Sequence, residues 1–177
     1  QVSTDNTFAT SEIDTTVSTT SHTPGSDLLA TSGSTYYWRV RPVDENGQTG
    51  DWTDPPETFV IDDTAPVVAS DPPPMIESGA SYTFDPNVNL SVTVTDDEGP
   101  DGDIQMQLSE DPGFEDSTTT GWMTYSSTPS FTLDSYNYHE TSEDSRTVHM
   151  RFRDSAGNVT SGGDSDTIVL DPNVYVS

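Results

Sequence analysis

The densest run of ligating side chains in the sequence is "TDDEGPDGD" (95–103), which holds Asp96, Asp97, Glu98, Asp101 and Asp103. Carboxylates in this number suit a hard cation, since calcium takes six to eight oxygens from side chains, carbonyls and water. The run lacks EF-hand spacing, so a site would have to be assembled from separate segments. Asp154 of "RDSAGN" and Asp62 and Asp63 of "IDDTAP" are the candidates to complete it. A plainer reading stands beside this one: a chain so rich in acids has solvated carboxylate loops whether or not it binds calcium. A second acidic stretch, "VDENGQTGD" (43–51), contains Asp44 and Asp51, but its Asn46-Gly47 pair is first of all a turn signal.

Catalytic chemistry has no visible seat. His22, His139 and His149 are far apart in sequence, and "HETSE" lacks the second histidine that a zinc-protease helix needs four residues on. There is no Gly-x-Ser-x-Gly elbow and no phosphate loop. The 31 acids allow many carboxylate pairs of the kind used in glycoside hydrolysis, and nothing singles one out. The expectation is therefore a protein that is not an enzyme. Trp52 and Trp122 offer flat faces that a sugar could stack on, but are expected to cap the ends of a β-structure. Asn89 in "NLS" and Asn158 in "NVT" fit the glycan-acceptor pattern. Asn158 also sits in an Ala-Gly-Asn turn, where its tolerance of left-handed backbone already explains it.

Charge narrows the partners. Against 31 acids stand five arginines and no lysine, for a net charge of −26. Nucleic acid and anionic membranes need a basic footprint and are excluded. The absence of cysteine excludes disulfides and thiolate metal sites. Acid excess without lysine resembles the composition of proteins from salt-loving microbes, where a Debye length of ~3 Å at 1 M salt screens self-repulsion.

The elements that must position these residues are strands. "YYWRV", "NLSVTVT", "DIQMQLS", "TVHMRFR" and "DTIVL" alternate apolar and polar residues between Gly, Pro, Asp and Asn, and no stretch has a helical period. Three segments also recur in the same order. "QVSTDNTF" (1–8) matches "QLSEDPGF" (107–114), "TYYWRVRPVDENG" (35–47) matches "TVHMRFRDSAGN" (147–158), and "TFVIDDTAP" (58–66) matches "TIVLDPN" (167–173). Shared order predicts two homologous units.

On these residues the first unit resembles the later strands of a fibronectin type III domain of prokaryotic surface proteins. There, Tyr36, Trp38 and Val40 point inward and Tyr36 takes the place of the tyrosine corner. The second resembles bacterial immunoglobulin-like modules carrying "VHMRFRDSAGNVT". The resemblance implies an all-β fold of two tandem antiparallel β-sandwiches, 1–62 and 63–171, with 172–177 as a tail or the start of a further domain. It also implies that the B–C and F–G loops share a pole, gathering the calcium candidates, and that calcium stiffens the junction. Because the first unit starts mid-repeat, it is expected to lack strands A and B, supplied either by preceding sequence or by another chain. The function implied is a structural module of an extracellular or cell-surface protein: a stalk, surface-layer or filament component whose partners are neighbouring domains or identical subunits. The alternatives are an accessory module of a secreted polysaccharide-degrading enzyme, with carbohydrate as partner, and a ligand-binding adhesin domain.

Overall fold

The computed structural model describes residues 1–23, 28, 33–96, 103–134, 144–160 and 164–171. Asp97, Glu98, Asp101, His139 and the segment 172–177 lie outside the described residues. The chain divides into two compact units, Gln1–Asp63 and Thr64–Ser177, and its fold class is all-β. The helical content among the described residues is a short 3-10 turn, Glu77–Gly79, and the 3-10 residue Asp103. None of the described helices is long and apolar enough to cross a membrane.

The first unit is built on three antiparallel strands, β1 (Val2–Ser3), β2 (Thr35–Trp38) and β3 (Glu57–Val60), in the order β1-β2-β3. Among the described residues the second unit has ten: β4 (Val67–Val68), β5 (Met75–Ile76), β6 (Tyr82–Thr83), β7 (Asn87–Ser91), β8 (Val94–Thr95), β9 (Gln105–Ser109), β10 (Met123–Thr124), β11 (Ser130–Thr132), β12 (Asp144–Arg153) and β13 (Asp164–Leu170). They form sheets ordered β10-β9-β12-β13-β6, β11-β7-β5 and β4-β8. All pairings are antiparallel except β13 with β6, which run parallel.

Period-two alternation becomes burial directly. Along β12, Val148, Met150 and Phe152 are fully buried, while the alternating His149, Arg151 and Arg153 stay partly open on the other face. Along β7, Val88 and Leu90 are buried and Asn87 and Asn89 exposed. One hydrophobic cluster joins the five-stranded sheet, through Met106, Leu108, Val148, Met150, Phe152 and Ile168, to the three-stranded sheet, through Ile76, Val88, Leu90 and Phe131. Each such side chain contributes roughly 1.5–3 kcal/mol by leaving water, so this cluster holds the second unit together.

The repeat survives in the strand register. Val2 faces Trp38 and Ser3 faces Tyr37, just as Leu108 faces Met150 and Ser109 faces His149. The third matched segment is displaced by two residues: Tyr36 faces Phe59, but its counterpart Val148 faces Asp166 rather than Ile168. A shift of two keeps the same side chains on the same face. It accompanies a first-unit turn with two extra residues, Pro42 and Val43, between Arg41 and Asp44.

Candidate functional site

The acidic candidates fall into separate places. Within the second unit, Asp96 follows β8 and Asp154 follows β12, and their carboxylates approach within 4.8 Å. Asp103, which precedes β9, is exposed and lines a shallow concavity with Gln105, Arg153 and Asp154. Asp62 and Asp63 close the first unit. The chain starts the second unit beside Asp96, because Val67 pairs with Thr95.

Asp154 already has a task. One of its oxygens accepts the Gly157 and Asn158 N–H groups at 2.6 and 2.9 Å, and the other accepts the Asn158 side-chain amide at 2.8 Å. Its own N–H donates to the Asn158 carbonyl at 3.2 Å, and Gly157 takes a φ of 98°. A carboxylate that closes a turn this way is fixed in position and nine-tenths hidden, with 5% exposure. It has a lone pair left for a cation, so Asp96 and Asp154 could supply two ligands of the six or more that calcium takes. Asp44 heads the equivalent turn of the first unit, accepting the Asn46 and Gln48 N–H groups at 2.9 and 2.7 Å, with Gly47 at a φ of 81°.

Both glycan candidates have engaged amides. The exposed Asn89 donates to Glu77 at 3.2 Å and accepts from Ser130 Oγ at 3.3 Å. Asn158 is held by Asp154 as described. His149 lies on the face of β12 opposite Val148 and Met150 and is partly exposed.

The matched segments "QVSTDNTF" and "QLSEDPGF" fold into the same turn. Ser3 and Ser109 are fully buried, and their hydroxyls accept the N–H of Asp5 and Asp111 at 3.0 and 2.9 Å. One carboxylate oxygen then accepts the N–H two residues on, at 2.9 Å from Thr7 and 3.1 Å from Gly113. The other accepts the N–H four residues on, at 3.2 Å from Ala9 and 2.9 Å from Glu115. Hydrogen bonds hold both carboxyls below the usual range, chiefly from Thr7 for Asp5 and from the Glu115 N–H for Asp111. The turn ends on Phe8 and Phe114, each with a φ of 56°, a left-handed backbone that a bulky residue rarely adopts.

An arginine lies over each of these rings, Arg39 at 4.0 Å from Phe8 and Arg151 at 4.3 Å from Phe114. Tryptophans extend the stacks. Trp52 carries Arg39 at 4.4 Å and Arg41 at 4.3 Å, and Trp122 carries Arg151 at 5.3 Å and Arg153 at 4.3 Å. The tryptophans come from different parts of the two units, Trp52 after Arg39 and Arg41 and Trp122 before the β12 arginines. Instead of presenting bare ring faces, both serve as platforms for guanidinium groups. The fifth arginine, Arg146, pairs with Glu110 at 3.1 Å and Asp144 at 3.0 Å. Every arginine of the chain is thus committed to an internal partner. Sequence reasoning passed over the arginines entirely, although their Arg-x-Arg spacing at matching positions of a repeat was available as a signal.

A concavity of the first unit, about 450 Å³, is lined by Val2, Val17, Trp38, Val40 and Phe59, with His22 and Arg39 also at its wall. Among the described residues no carboxylate lines it, in a chain with 31 acids. Compared with known protein families, with curated proteins and with solved structures, the chain shows no match.

Proposed function

We propose that the chain is a non-catalytic structural module of an extracellular or cell-surface protein, built from duplicated β-sandwich units that space and join neighbouring parts of an assembly. The observation that carries this reading is the duplicated frame: the same Ser-Asp-Phe turn, the same Arg-x-Arg pair and the same β1/β2 and β9/β12 register in both units. Side chains that would serve a polar active site instead hold that frame, with Asp5, Asp111, Asp44 and Asp154 closing turns and Arg39, Arg41, Arg151 and Arg153 stacked on rings. Repetition of one mechanical unit along a chain suits spacing. A saline setting belongs to the same proposal, because a net charge of −26 without lysine repels itself and salt relieves that repulsion.

Force spectroscopy on the full chain tests the reading. Unfolding of the second unit should appear as a discrete event releasing roughly 350 Å of contour for about 100 residues, at forces that rise with salt. Extension with no discrete event would remove the structural role. Calcium enters the proposal as an ion bound by Asp96 and Asp154 that braces the second unit at low ionic strength. A chelator should then lower the melting temperature of that unit, and an unchanged melt would leave Asp154 as a turn-closing residue alone.

A further inference from the structure

The two units differ most on the face opposite their arginines. In the second unit, Leu108, Val148, Met150 and Phe152 are all sealed beneath β5, β7 and β11. Their register-matched counterparts in the first unit are Val2, Tyr36, Trp38 and Val40. Tyr36 is buried, stacked on Phe59 at 5.3 Å and 11°. Trp38 is 39% exposed, Val40 53% and Phe59 37%. Singly exposed apolar residues are ordinary, but these adjoin one another around a groove that no carboxylate of the described residues lines.

We propose that this groove is a docking site for extended polypeptide: a strand pair with apolar residues at alternate positions and little charge, laid over the first unit as β5 and β7 lie over the second. The second unit shows what such a face accepts. Its covering strand and the segment after it read "NVNLSVTVT" (87–95), without a single charge, and place Val88, Leu90, Val92 and Val94 in the core. A strand pair with alternating apolar side chains is what covers the equivalent face of the second unit. The inference takes from the proposed function only the duplication of the frame. It would stand if force spectroscopy showed no spacer role, and its own test below leaves that reading untouched.

The probe is a synthetic peptide of residues 74–95, added to the isotope-labelled full chain at high salt and followed by backbone NMR. Expected are saturable shifts at Val2, Tyr36, Trp38 and Val40, and amide exchange across Thr35–Trp38 slowed at least tenfold. A control peptide with Ile76, Val88, Leu90 and Val92 changed to Ser should do neither. Trp38→Asp should abolish binding, and Val40→Asp, at a more exposed position, repeats the test should the first variant unfold the unit. Absence of shifts at saturating peptide overturns the proposal, as do equal shifts with the control or shifts confined to the second unit. Concentration-dependent dimerisation that Trp38→Asp abolishes, and that the peptide cannot displace, would also overturn it by assigning the face to a second copy.

Discussion

Residues 1–63 and 64–177 carry one design on their arginine side and two different outcomes on the other. On the shared side, a buried serine, a turn-closing aspartate, a phenylalanine at positive φ and a stacked arginine recur with nearly the same distances. On the other side, Met150 is fully buried while its counterpart Trp38 keeps 39% of its surface. Local features repeat because each is decided within a few residues of sequence or across one strand pair. Burial of the opposite face depends on a second layer of strands, and alternation in β2 only makes that face apolar; it does not cover it.

The sharpest way to break this comparison is a charge on matched positions. Met150→Asp should unfold the second unit, since an unpaired buried carboxylate costs several kcal/mol or stays protonated. Trp38→Asp should cost the first unit less, about 1–3 kcal/mol for the part of the ring that is covered. Chemical denaturation at high salt reads both, and equal losses would mean that the two faces are equivalently covered.

The shared side can be probed by removing the arginines. Arg39 also donates to Gln1 Oε1 at 2.9 and 2.6 Å, and Arg151 to Gln107 Oε1 at 2.8 Å. Arg39→Ala and Arg151→Ala should therefore cost their own units similar amounts, about 1–3 kcal/mol for the stack and the hydrogen bond together. A loss in one unit only would show that the repeated geometry is not repeated energetically.

How far the sequence discloses this depends on range. Strand positions were legible because alternation is local: "NLSVTVT" and "TVHMRFR" become β7, β8 and β12, and the covered face is the apolar one. The pairing of "QVSTDNTF" with "QLSEDPGF" was legible as text, and its physical meaning is the serine–aspartate turn. The two-residue displacement of β3 was not legible, because it is set by the length of the turn at Pro42 and Val43 rather than by the strands. The acidic candidates were legible only as a list. Whether Asp154 serves a cation or its own turn depends on the direction of three N–H groups, which composition does not contain. The stacking of Arg151 and Arg153 on Trp122 joins segments about thirty residues apart, and pattern alone gave no reason to pair them.

Titration should give the smaller, finer contrast. Asp5 and Asp111 have depressed carboxyls, so their turns add stability above the ordinary aspartate range and lose it as pH falls through the folded values. That acid limb should be present in both units and vanish unit by unit in Asp5→Asn and Asp111→Asn. Glu110 behaves oppositely. Burial pushes its carboxyl up, against hydrogen bonds from the Asp134 N–H and Arg146. Its ionisation therefore weakens the fold, and the second unit alone should gain stability as pH falls through the raised value. Glu110→Gln should flatten that gain, as read from melting temperature against pH.

Amide hydrogen exchange on the intact chain at high salt tests the central contrast most directly. Amides of Val148–Phe152 should exchange only through global unfolding of the second unit, and those of Tyr36–Val40 roughly 100-fold faster or more, through local opening beneath an uncovered face. Equal protection of the two matched segments would contradict the account, showing that the first unit's apolar face is as well sealed as the second's.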